Sequence, residues 1–241
     1  MSKNKVALVT GAAKRIGKQT ATLLHHQGFD IIIHCNNSAI EAEAFANELN
    51  ELRANSACFI KANLNNSDDI TELAKQAVSA YGHINVLINN ASSFYPTEVG
   101  KVTNEIWDDL FGSNLKAPFF LIQALQASLA ASNGVIINMV DIHAERPLKE
   151  YSVYCMAKAG LVMLTKSLSR ELAPNIRVNG VAPGAILWHE NDLSEQDKQQ
   201  VVSEIALNRL GSPTNIAEAI LYLVQADYVT GHILTVDGGR S

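Results

Sequence analysis

The sequence predicts an α/β fold: a doubly wound parallel sheet of about seven strands with helices on both faces. Three observations carry this expectation. Short apolar runs alternate with longer segments of helical period along the whole chain. Most of those runs are apolar at consecutive positions, as strands are when helices cover both faces of a parallel sheet. A glycine-bearing loop follows the first run and opens a helix. That arrangement belongs to sheets whose ligands sit at the carboxyl ends of the strands.

In chain order the strand candidates are residues 6–10, 30–34, 57–61, 85–88, 135–140, 177–182 and 232–236. The first helix is expected over 16–27, where Gly28 supplies a terminating residue. Ser67, followed by Asp68 and Asp69, places a capping hydroxyl and two carboxylates at a positive helix end. Thr103 offers a cap to the next helix without the reciprocal acid of a capping box, because Ile106 stands three residues on. The least regular stretch is 184–212, rich in charge at Glu190, Asp192, Glu195, Asp197 and Lys198. It reads either as a substrate-covering loop insertion or as a solvated surface helix.

At 241 residues, 47% hydrophobic and 18% charged, the chain suits one domain spanning 1–241, large enough to need no staples. A net charge of -5 argues against nucleic acid as the main partner. Cys35, Cys58 and Cys155 fit no metal or redox spacing, and an odd count suggests reduced thiols. The apolar run Val6–Val9 is too short for a signal-peptide core or a membrane span. The expectation is a soluble, cytoplasmic protein without a membrane partner or a metal.

The loop is Thr10-Gly11-Ala12-Ala13-Lys14-Arg15-Ile16-Gly17. A tight glycine turn there lets backbone N–H groups and the helix amino terminus face a pyrophosphate, so the sheet is expected to be of Rossmann type. The second strand runs out at His34-Cys35-Asn36-Asn37-Ser38, without the acid that accepts from an adenosine ribose in NAD-preferring sites. Lys14, Asn37 and Ser38 are instead candidate donors to a 2′-phosphate, which favours NADPH. The fourth strand ends in Asn89-Asn90-Ala91-Ser92. Polar groups there need partners, found either in adjoining strands or in the cofactor.

Tyr154 and Lys158 are four residues apart on one helix face, the only such pair among six tyrosines. A free phenol has a pKa of roughly 10, and a nearby ammonium is expected to lower it towards working pH. The fifth strand ends at Asn138-Met139-Val140-Asp141, which brings Asp141 to the same sheet edge. Asn114 is a candidate polar residue on the intervening helix.

With these residues in view, the chain resembles the short-chain dehydrogenase/reductase family over essentially its full length. The matching features are the Thr10–Gly17 loop, Asn89-Asn90-Ala91, Asn114, Tyr154 with Lys158, Pro183-Gly184 and the closing Val236-Asp237-Gly238-Gly239. The resemblance implies that Tyr154 donates a proton, that Lys158 binds the nicotinamide ribose and acidifies the phenol, and that Asn114 supports a water relay. It also implies cofactor contacts from Gly11, Lys14, Arg15, Ile16, Gly17, His34, Asn36, Asn37, Ser38, Asn63, Leu64, Asn89, Ala91, Ser92, Tyr154, Lys158, Pro183 and Gly184.

Two departures narrow the likeness. Arg15 replaces the middle glycine of the usual loop, and Asp141 replaces the usual catalytic serine. With Asn89 to Pro96 and Tyr151 to Lys158, they make the chain resemble the pteridine reductases. Asn63 stands where that subfamily usually has an aspartate near the adenine. The implied activity is NADPH-dependent reduction of a dihydropterin, with dihydrofolate or oxidised pterin as further substrates. Arg15, Ser92, Phe94, Asp141 and Tyr154 are the substrate residues. Phe94 reads either as a stacking face or as a core side chain under its loop, and Arg15 either as a phosphate-to-pterin bridge or as a solvated residue. The alternative activity is carbonyl reduction on a 3-oxoacyl thioester or similar ketone. A nucleotide-sensing scaffold without chemistry is disfavoured by the intact Tyr154 and Lys158. The family also implies a homotetramer, built through helices over about 104–130 and 152–172.

Overall fold

The computed structural model describes residues 4–186 and 194–241. Its strands are β1 (Val6–Val9), β2 (Asp30–Cys35), β3 (Ala57–Lys61), β4 (Val86–Asn89), β5 (Val135–Met139), β6 (Arg177–Pro183) and β7 (Ile233–Val236). Between them run α1 (Arg15–His26), α2 (Ala39–Leu52), α3 (Ser67–Tyr81), α4 (Asn104–Phe111), α5 (Ala117–Ala131), α6 (Ser152–Glu171), α7 (Glu195–Ser203) and α8 (Pro213–Gln225). All seven strands join one parallel sheet in the order β3-β2-β1-β4-β5-β6-β7. This is the Rossmann-type fold expected from the sequence. The sheet grows one way from β1 to β3 and the other way from β4 to β7, so a crevice opens between β1 and β4 at their carboxyl ends.

Alternation along β1 shows why the strands read as continuous apolar runs. Ala7 and Val9 enter one core with Leu24 of α1, Phe45 of α2 and Ile220 of α8. Val6 and Leu8 enter the other with Leu73 of α3, Leu125 of α5 and Leu168 of α6. Both faces are therefore dry, and each buried Leu or Ile contributes about 1.5–3 kcal/mol.

Strand and helix ends differ from expectation by a residue or so. More informative is α3, whose cap is Asn66 and not Ser67. The Asn66 side-chain oxygen accepts from the amides of Asp68 (2.8 Å) and Asp69 (3.2 Å), leaving Ser67 inside the helix. Thr103 does cap α4, accepting from Ile106 N at 3.4 Å.

The helix expected over 104–130 is not continuous. A π turn at Gly112–Lys116 separates α4 from α5. Ser113 Oγ donates to Asp109 O, and Asn114 Nδ2 donates to Leu110 O. Side chains that take up helix carbonyls in this way accompany a widened turn.

In the irregular stretch, residues 195–203 form α7, capped by Ser194 Oγ, which accepts from Asp197 N at 3.2 Å. This helix buries none of its residues, in keeping with the solvated-helix reading of that half. Glu190 and Asp192 lie outside the described residues. No described helix is long and apolar enough to cross a membrane.

Candidate active site

The loop after β1 is shaped by its neighbours. Gly11 has φ +62, in the region that favours glycine. A Cβ on Gly17 would fall 2.3 Å from Gly11 O and 2.6 Å from Asn90 Nδ2, so only glycine lets α1 begin this close to the turn. Asn90 braces the turn through Nδ2, which donates to Thr10 O (2.8 Å) and Gly11 O (3.1 Å). Thr10 Oγ1 returns the support by accepting from the amides of Asn90 and Ala91.

His34 lies beneath this loop. Gly11 N–H donates to His34 Nδ1 at 3.2 Å, which leaves Nε2–H to donate to Ala62 O at 3.1 Å. Burial holds its pKa down to about 4, against the pull of the Ala62 carbonyl, so the ring is neutral at pH 7. Any cofactor contact of His34 is therefore not through its ring nitrogens, which tie the loop to the strand beyond.

Asn89 is also occupied within the sheet. Its Nδ2 donates to Asn138 Oδ1 at 2.8 Å, and Asn138 donates in turn to Thr165 Oγ1. Leu64 is packed in the core beside α3. Asn63 lies at the surface, where its N–H donates to Asp69 Oδ2 and its side-chain oxygen accepts from Asn65 N.

Several residues do face outward at the crevice. Lys14, Arg15, Asn36 and Asn37 are exposed, and Ser38 and Ile16 are half-buried. Arg15 sits at φ +54, which explains why glycine is usual at this point of the loop. A non-glycine residue there is strained. Lys14 Nζ pairs with Glu41 Oε1 at 2.7 Å. Glu41, six residues past the strand and in the first turn of α2, thus places a carboxylate beside Lys14, the expected 2′-phosphate donor.

These residues suit a nicotinamide dinucleotide. The N-cap residue of α1, Lys14, makes no side-chain cap, so the first amides of that helix are available to an anion. The segment Pro183-Gly184 closes the opposite side. Gly184 N donates to Val236 O at 3.0 Å, and a Cβ there would strike Asp237.

At the reacting end, Tyr154 Oη donates to Asp141 Oδ2 at 2.7 Å, while Asp141 Oδ1 accepts from His143 N at 2.9 Å. Burial first, then the Asp141 carboxylate, pushes Tyr154 well above the ordinary phenol value. This overturns the expectation that Lys158 lowers it. Lys158 Nζ donates to Met139 O at 2.8 Å and lies 5.6 Å from the Tyr154 ring centre. Its own pKa falls to about 8 because burial outweighs the attraction of Asp141. Among the described residues Met139 O is its one hydrogen-bond acceptor, leaving N–H groups for a ribose.

Asn114 ties this centre to the loop after β4. It accepts from Ser92 Oγ at 2.7 Å and donates to Ser93 O at 2.9 Å. Phe94 stacks on Tyr151 (4.5 Å between centres, 22° between planes) and meets Tyr154 edge-on at 4.8 Å. It is half-buried in a cluster with Leu110 and Val153, in keeping with the core reading of that side chain. Tyr151 was missed. Its signal was an aromatic three residues before Tyr154, at the start of the same helix.

Comparison with known proteins decides the family. Residues 11–241 match the family described as enoyl-(acyl carrier protein) reductase. Pteridine reductase 1 of Leishmania tarentolae is 37% identical over 98% of this chain and 96% of its own. The chain belongs to the short-chain dehydrogenase/reductase family. The 3-oxoacyl-acyl-carrier-protein reductase of Staphylococcus epidermidis is 36% identical, over 98% of each chain. Its Staphylococcus aureus counterpart is 36% identical over 99% of each. This reductase is thus an oxidoreductase that uses NAD(P)H on a small molecule. Its identities to pteridine and 3-oxoacyl reductases lie within one percentage point of each other.

Proposed function

We propose that this reductase uses NADPH to reduce a dihydropterin to its tetrahydro form, with Asp141, Tyr154, Lys158 and Asn114 as its catalytic group. The observation that carries the reading is the 2.7 Å hydrogen bond between Tyr154 Oη and the Asp141 carboxylate. A carboxylate repels the oxygen of a ketone, whereas it pairs well with the N–H edge of a protonated nitrogen heterocycle. The raised pKa keeps the phenol protonated at neutral pH, and proton transfer from it requires the Lys158 ammonium to stabilise the phenolate.

A reduced nicotinamide dinucleotide, held by the loop over residues 11–17 and by Lys158, would supply a hydride to the carbon of a C=N group. The electron pair of the C=N π bond takes a proton at nitrogen from Tyr154. The Lys158 ammonium offsets the negative charge left on the phenol, and Asn114 holds Ser92 and Ser93 in place around the ring. Phe94, stacked on Tyr151 and edge-on to Tyr154, is the aromatic side chain assigned to a flat conjugated substrate beside the phenol. Arg15, exposed at the mouth, reaches a phosphate or the pterin edge through its planar fork.

The test is NADPH consumption by purified enzyme on dihydrobiopterin, dihydromonapterin, dihydrofolate and an acetoacetyl thioester. Asp141→Ser should lose about 10²-fold or more in dihydropterin kcat/KM. Unchanged dihydropterin reduction in that variant, or faster turnover of the thioester by the parent enzyme, would overturn the reading. The thioester reading draws on the 36% identity to 3-oxoacyl reductases, one point below that to the pteridine reductase.

NADPH preference rests on Lys14 and on the absence of an acid at Asn36, Asn37 and Ser38. Lys14→Ala should cost about tenfold in kcat/KM for NADPH and little for NADH. Parent enzyme that prefers NADH would remove the assignment.

A further inference from the structure

The segment after β7 does more than end the sheet. Asp237 accepts hydrogen bonds from the amides of Gly239, Arg240 and Ser241 and from Ser241 Oγ. Gly238 and Gly239 take φ +68 and +79, so the chain doubles back tightly. The turn presses on the end of the irregular stretch: Gly238 O accepts from Leu207 N at 3.1 Å. A Cβ on Gly238 would strike Ile205, and one on Gly239 would strike Ala206.

That turn aims Arg240 at Glu204, the residue just past α7. Arg240 Nη2 and Nε lie 3.2 and 3.4 Å from Glu204 Oε2. Arg146, on the loop that follows Asp141, approaches the same oxygen at 3.8 Å and donates through Nη1 to Arg240 O. The Arg240 side chain is only 13% exposed. The three charges close one side of a cleft of about 350 Å³, walled by α7 and by His143, Pro147 and Leu148. That second wall is continuous with the reaction centre: His143 N holds Asp141, and Leu148 packs in the cluster of Phe94 and Tyr154.

We propose that Glu204, clasped between Arg146 and Arg240, is a positioning residue that holds α7 against the Asp141 loop and thereby sets how tightly the site retains its substrate. An isolated surface pair contributes little. Here one carboxylate serves two guanidiniums, one of them largely shielded, on three segments far apart in sequence. The inference rests on the reductase reading of the Asp141–Tyr154 centre, but not on which of the two substrate classes is turned over.

The test compares Glu204→Ala, Arg240→Ala and the double variant with parent enzyme, on whichever of dihydrobiopterin or the acetoacetyl thioester the parent reduces. Each single variant should raise substrate KM about fivefold, with kcat, NADPH affinity and melting temperature nearly unchanged. The double variant should be no worse than Glu204→Ala alone, because that change already removes the carboxylate Arg240 contacts. Glu204→Asp should restore part of the loss. Hydrogen exchange of amides 195–203, read without substrate, should quicken about fivefold in both single variants. Unchanged KM and unchanged exchange overturn the proposal, as do additive losses. A fall in kcat and melting temperature together would mean a merely structural role and also overturn it. Failure of the parent to reduce either compound counts against the substrate reading, while the exchange result still decides the clasp.

Discussion

Tyr154→Phe should lower kcat by about 10²–10⁴-fold, the range expected when a positioned proton donor is lost. The loss should fall on turnover and not on NADPH binding, because the phenol oxygen is engaged with Asp141 and the ring keeps its edge contact with Phe94. Steady-state kinetics with NADPH titration checks both parts. Turnover within tenfold of the parent would remove Tyr154 as the donor. The pH profile adds a sign. A phenol held far above its ordinary value stays protonated across the neutral range, so activity should not fall between pH 6 and 8 through loss of its proton.

Lys158→Met should abolish turnover and at the same time make the protein more stable. Lys158 is almost wholly buried, and burial lowers its pKa from 10.5 to about 8. Between those values the unfolded chain binds a proton that the folded chain releases, so stability rises with pH across that window. The cost is fully present below about pH 8 and fades as pH climbs towards 10.5. A shift of this size corresponds to roughly 3 kcal/mol. Replacement by a similar apolar chain recovers that, less about 1 kcal/mol for the donor lost to Met139 O. Melting at pH 7 should therefore rise by a few degrees, and the gain should shrink at pH 10. A variant that melts lower than the parent at pH 7 contradicts this.

The contrast between these two residues shows what the sequence carried. Their spacing on one helix face and their place after β5 were legible, because helix period and sheet topology are local or near-local properties. The direction of the Tyr154 shift was not. It depends on burial and on a carboxylate thirteen residues away outweighing an ammonium four residues away, a balance of three-dimensional distances. His34 and Asn89 illustrate a second limit. Polar residues at strand ends need partners, but spacing cannot say whether the partner is a ligand or the next strand. Glu41 falls outside the strand end where such an acid is expected, in the first turn of the following helix. Asn114 was found, yet the π turn that surrounds it was not, because side chains competing for helix carbonyls leave no mark on apolar periodicity.

The strand order also dictates how the chain is assembled as it is made. Because the sheet spreads outward from β1, the segment through β3 can complete three paired strands while the rest is still to be synthesised. At that stage the free edge of β1 exposes unpaired amides and carbonyls, a template for pairing with another nascent chain. The β4 strand arrives only after α3, and covers that edge by pairing at Ala7, Leu8 and Val9. The half bearing the glycine turn thus forms early, whereas Asp141, Tyr154 and Lys158 all lie in the half added later. Conditions that slow elongation between residues 65 and 86 should therefore prolong the aggregation-prone interval without yet committing any of the chemistry.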